Sequence, residues 1–131
     1  MVKRTLWAIV AVFIAWSILD FILHGVLLRP TYVNTASLWR PMDQMKMPLM
    51  YFVTLVFTVC FVLIYRFLVG QKSLAAGIRF GALFGLATGI SMGFGSYSTM
   101  PIPLTLAWGW FIGSWVEAIT AGAVVGAIIK S

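Results

Sequence analysis

Residues 74–94 read LAAGIRFGALFGLATGISMGF. The stretch is continuously apolar and does not alternate every second residue, which predicts a helix and not a barrel strand. About 20 helical residues cross a hydrocarbon core, and a helix satisfies its own backbone groups where lipid offers no partner. Gly77, Gly81, Gly85, Gly89 and Gly93 recur at strict four-residue spacing. Residues four apart share one helix face, so the five form a groove without side chains that lets a second backbone approach closely. That second helix belongs either to the same chain or to another copy. This pattern is the glycine zipper of packed membrane helices.

Three further stretches have the same character. With the first they predict spans over about 5–28, 47–69, 74–94 and 104–129, with an outer loop over 29–46. The expected architecture is an all-α bundle of four transmembrane helices in one domain, 1–131. The last span carries its own row of small residues, Ser114, Ala118, Gly122 and Gly126, with Gly109 and Gly113 on a neighbouring stripe. Composition agrees: 62% of residues are apolar and 9% charged, against roughly 25% charged in soluble domains. A water-soluble domain, a disordered chain and a disulfide scaffold are excluded on these grounds. Cys60 lies mid-run and reads as a small buried hydrophobe. The net charge of +6 is scattered at the edges of apolar runs. It therefore points to lipid headgroups as partner and excludes nucleic acid.

Punctuation fits the boundaries. Arg29-Pro30 ends the first span, Pro41 and Pro48 bracket the start of the second, and Gly70-Gln71-Lys72-Ser73 is a tight turn. Ser96 to Thr99, then Pro101 and Pro103, separate the third span from the fourth. Lys3, Arg4, Arg66, Lys72, Arg79 and Lys130 fall at one side, against Arg29, Arg40 and Lys46 at the other. The positive-inside rule then puts both termini in the cytoplasm of a bacterial-type inner membrane. Trp7 and Tyr65 would mark the inner interface, and Tyr32, Trp39, Tyr97, Trp108 and Trp110 the outer one. In the loop, Trp39 and Arg40 read as an interfacial anchor at headgroup level. The basic start resembles a signal peptide, but no small-x-small cleavage site follows, and the segment is expected to remain as a span.

Intramembrane acids are costly and are functional candidates by default. Ser17, Asp20 and His24 share one face of the first span, and Ser114 and Glu117 one face of the last. Tyr51, Thr54, Thr58 and Tyr65 line the second span, and Thr88 and Ser91 the third; all are expected to point inward. At 1.5 Å per residue, Asp20 lies about 13 Å and Glu117 about 20 Å from the outer ends of their helices, hence at similar depths. Arg79 either snorkels to the headgroups or pairs with Glu117. Three readings of the cluster stand side by side: a structural hydrogen-bond network, proton or cation handling by Asp20, His24 and Glu117, and a metal site made by the same three. Met42, Met45, Met47 and Met50 read as flexible filler and not as soft-metal ligands.

The first span ending at Arg29-Pro30, the segment Leu38-Trp39-Arg40-Pro41, the glycine row and the small-residue ending Gly122 to Ala127 together resemble a family of small four-helix bacterial integral membrane proteins. That resemblance implies the fold and brings no established activity. Small multidrug exporters share the size and a first-helix acid, but Glu117 has no counterpart there and the outer loop is longer. The leading expectation is an accessory or scaffold-type membrane protein, as a homo-oligomer or beside a membrane-protein partner. The alternative is a proton- or cation-coupled small transporter or channel, and the second alternative a metal or redox partner. No nucleophile–base pair is visible, so no enzyme activity is expected, and no cofactor.

Overall fold

The computed structural model describes residues 1–130, and every regular element among them is helical. Helix α1 runs Val2–Ile22 and widens into a π-helical turn over Leu23–Leu27, where the Leu28 amide donates to the Leu23 carbonyl at 2.8 Å. Helix α2 (Arg29–Asn34) follows at once, with Pro30 in its first turn, where a missing amide hydrogen leaves nothing unpaired. Two 3-10 turns, Ala36–Leu38 and Met42–Gln44, lead into α3 (Met47–Leu68). Helix α4 (Leu74–Ile90) is capped by Ser73, whose Oγ accepts from the Ala76 amide at 3.0 Å. It continues through a π-helical turn, Ser91–Gly95, into α5 (Ser96–Thr99). Helix α6 spans Leu104–Ile128. Four stretches, Val2–Leu27, Met47–Leu68, Leu74–Thr99 and Leu104–Ile128, are long and apolar enough to cross a membrane.

Helix α6 is the hub, and small residues explain why. A Cβ on Gly77 would overlap the Gly122 carbonyl oxygen, one on Gly81 the Ala118 carbonyl, and one on Gly93 the Ala107 carbonyl. The α4 glycine groove therefore pairs within the chain, running antiparallel to α6 at backbone contact. The neighbouring stripe of α6 does the same for α1: Gly109 receives Leu28, and Gly113 receives Leu23. With no side chains between them, the α4 and α6 backbones gain dense van der Waals contact along the whole pair. The close approach also brings backbone carbonyls within reach of indoles. Trp115 Nε1 donates to the Ala82 carbonyl at 2.9 Å, and Trp16 Nε1 to the Glu117 carbonyl at 2.7 Å.

Helix α3 closes the bundle at one end only. Its half near the chain termini is buried, through Thr58, Phe61, Val62 and Tyr65. There Phe61 meets Trp16 and Phe80 at ring separations of 5.2 and 4.7 Å. The Tyr65 hydroxyl shares its one proton between the carbonyls of Ser73 (3.1 Å) and Ile129 (3.3 Å), tying α3 to the α4 start and the α6 end. Its other half is uncovered: Tyr51, Phe52, Val53, Leu55, Val56 and Phe57 are all exposed.

Several expectations need correcting. Cys60 is exposed, not buried: an apolar run says that the surroundings are apolar, not that the residue faces a protein neighbour. Tyr51 likewise faces outward, because α3 leaves the bundle before reaching it. Segment 29–46 is not a plain loop but holds α2 and two 3-10 turns. Ser96–Thr99 is helical, continuing the preceding π-helical turn, and the chain leaves the helix only near Pro101.

Candidate functional site

Two helices bring the acids together. The Trp16 bond to the Glu117 carbonyl sets the register of α1 against α6. Asp20, one turn beyond Trp16, then lines the same cavity as the Glu117 side chain. Glu117 Oε1 is buried without a hydrogen-bond partner, and so is Ser17 Oγ. Asp20, Ser114 and Glu117 line a cavity of about 600 Å3. Its aromatic wall is Trp16, Phe57 and Phe84, in ring contact at 5.4 and 5.7 Å. Thr54, Thr88 and Ser91 add hydroxyls, and no Lys or Arg lines it. The cavity lies where α3 is uncovered.

A second set of groups extends from Asp20 toward the α2 end. His24 Nε2 lies 3.9 Å from Asp20 Oδ1. On the other side of the ring, His24 Nδ1 is 2.6 Å from the Tyr32 hydroxyl, and Trp110 Nε1 lies 2.7 Å from the same oxygen. An indole N–H only donates, so the Tyr32 oxygen accepts from Trp110 and its own proton is free to point at His24 Nδ1. A neutral His24 then carries its hydrogen on Nε2, facing Asp20. Trp39 packs edge-on against Tyr32 and Trp110, at 5.6 and 6.0 Å, and donates to Thr35 Oγ1 at 2.9 Å. Burial pushes the Tyr32 phenol above its usual 10.0, opposed by the hydrogen bond from Trp110 and reinforced by the Asp20 charge.

The sequence-derived residues are thus placed unevenly. Asp20 and Glu117 meet, with Ser114 beside them; His24 touches Asp20 but turns its other nitrogen to Tyr32. Arg79 is exposed and forms no ion pair with Glu117, while Asp20 faces His24 instead. Among the described residues no three His, Cys, Asp or Glu side chains come together as a metal site. Trp39 is folded onto Tyr32 and Trp110, while Arg40 is exposed. Gly122 and Gly126 pack on the start of α4. Tyr32 and Trp110 escaped the sequence reading as site members, since an amphipathic aromatic near a helix end reads equally well as an interface marker. Their only other signal is a His within an apolar run that needs a partner.

Fold and site together describe an all-helical bundle with four potential membrane-crossing helices and a paired-acid cavity between them. The chain matches no known protein family, and no curated protein or solved structure is significantly similar to it.

Proposed function

We propose that this is a multi-pass protein of a bacterial-type cytoplasmic membrane, with both termini in the cytoplasm, that exchanges a proton for a cation at the Asp20–Glu117 pair. The observation that carries the reading is that carboxyls from two different helices, Asp20 and Glu117, line one cavity in which no Lys or Arg takes part. Side by side in an apolar cavity, two negative charges repel and lose hydration. One proton or one monovalent cation between them relieves both effects, and exchange of one for the other is the elementary step of coupled transport. His24, facing Asp20 through Nε2 and reaching Tyr32 through Nδ1, gives the pair a titratable neighbour toward the α2 end. The test is reconstitution into liposomes with an internal pH-sensitive dye. Wild type is expected to move protons when cations are added outside. The Asp20→Asn, Glu117→Gln double variant should stay folded and show background traces. Flux that survives in the double variant, or background traces from both proteins, would reject the assignment.

An accessory role beside a second copy or another membrane protein is supported by a different observation, the uncovered face of α3 from Tyr51 to Phe57. Exposed Cys60 lies on the same helix and is the only cysteine. Oxidative cross-linking in native membranes should then double the 14.5 kDa chain or attach it to a partner. A chain that stays monomeric counts against this role.

A further inference from the structure

The cavity is far larger than an inorganic ion needs. At about 600 Å3 it falls within the roughly 300–1,000 Å3 of small-molecule sites, whereas one water fills about 30 Å3. Its chemistry is divided: a carboxyl pair with the Ser114 hydroxyl, and Trp16, Phe57 and Phe84 as a continuous aromatic wall. An ammonium group donates up to three hydrogen bonds, and Glu117 Oε1 is a buried acceptor with none. Aromatic faces attract the same positive charge and pack against an apolar body. The adjoining half of α3 is uncovered from Tyr51 to Phe57, which leaves a lateral opening for a molecule already dissolved among lipid tails.

We infer that this cavity binds a monovalent organic ammonium with an aromatic or branched apolar body, its charged head on Asp20 and Glu117 and its body against Trp16, Phe57 and Phe84. The inference rests on the proposed exchange at the carboxyl pair and names its substrate class. Binding proceeds by exchange: the O–H bond of the protonated carboxyl breaks, the proton leaves to water, and the ammonium takes its place, so the charge in the cavity does not change. The titratable groups facing the pair are His24 in the π-helical turn after α1 and, through His24, Tyr32 on α2; Thr54 from α3, Thr88 from α4 and Ser91 from the π-helical turn after α4 add neutral groups.

The experiment titrates the protein in phosphatidylcholine nanodiscs with 2-phenylethylammonium chloride, neutral 2-phenylethanol and sodium chloride, subtracting protein-free nanodiscs. Calorimetry in two buffers of different ionisation enthalpy counts the protons released. The ammonium should bind with one proton released, and 2-phenylethanol at least tenfold more weakly. Asp20→Asn and Glu117→Gln should each weaken ammonium binding at least tenfold and abolish the release. A Thr54→Trp variant places a large ring in the cavity that Thr54 lines, and should weaken ammonium binding at least tenfold. Circular dichroism and a single elution peak qualify each variant as folded. Equal binding of 2-phenylethanol would mean an apolar cleft for lipid chains and overturn the inference. Displacement of the proton by sodium but not by the ammonium would overturn it while leaving the exchange at the carboxyl pair standing. Proton release by neither cation would remove both.

Discussion

The indole nitrogen of Trp16 donates to the main-chain carbonyl of Glu117 across the α1–α6 interface, at 2.7 Å. A side chain thereby reads the backbone of the residue whose carboxyl lies one turn away from it, beside Asp20. The donor comes from a residue that is itself buried against Phe61. In an apolar setting an indole N–H without a partner is expensive, so the bond holds α1 in one register on α6.

Trp16→Phe keeps the ring contact with Phe61 and deletes the donor. The expected loss is about 0.5–1.5 kcal/mol, the usual net contribution of one intramolecular hydrogen bond. Thermal unfolding in mild detergent reads it. An unchanged midpoint would mean that the register is held by Gly109 and Gly113 against Leu28 and Leu23 alone.

Two opposed effects meet in Gly81→Ala. Alanine improves helix propensity by about 1 kcal/mol over glycine, but the new methyl would overlap the Ala118 carbonyl, and overpacking costs about 1–3 kcal/mol. Overlap with rigid backbone should win, with net destabilisation and a loosened α4–α6 pair. Gly70→Ala, where nothing lies near the new methyl, and Leu83→Ala, at a position 72% exposed, are the controls. Gly81→Ala unfolding at or above the wild-type temperature would contradict the packing argument.

Tyr32 gives a pH dependence with a definite sign. Its folded phenol is held above the usual 10.0 by burial, so the native state keeps a proton that the unfolded chain releases. The contribution to stability is complete below pH 10 and is lost as pH rises from there through the folded value. Unfolding midpoints of wild type should fall more steeply above pH 10 than those of Tyr32→Phe. An ultraviolet phenolate titration that shows Tyr32 ionising at or below 10 would rule this out.

Topology is open to a direct check. Paired reporter fusions at the C-terminus and within the Thr35–Ala36 segment should report opposite sides, with the C-terminal one cytoplasmic. The antiparallel contacts of α6 with α4 and α1 place Ile128 and Val2 at the same end of the bundle. Both reporters on one side would contradict a four-crossing arrangement.

The four long apolar helices were legible in the chain itself, because continuous apolarity and four-residue glycine spacing are local properties of each segment, whereas the short helix Arg29–Asn34 and the run of the third long helix on to Thr99 were not. The glycine groove was visible for the same reason, and so were Asp20, His24 and Glu117 as polar residues out of place in apolar runs. The partner of the groove was not: a face without side chains fits any helix with a matching row, and only assembly pairs it with Gly122 and Gly126. The burial of Cys60 and Tyr51 was misread because α3 departs from the bundle halfway along, and helical phase does not record where a neighbour ends. The junction of Asp20 with Glu117, and of His24 with Tyr32 and Trp110, spans from 8 to about 100 positions in the chain. Such meetings depend on the axial slide of one helix on another, which is set by Leu23, Leu28 and Trp16 docking on α6, and no single segment encodes it.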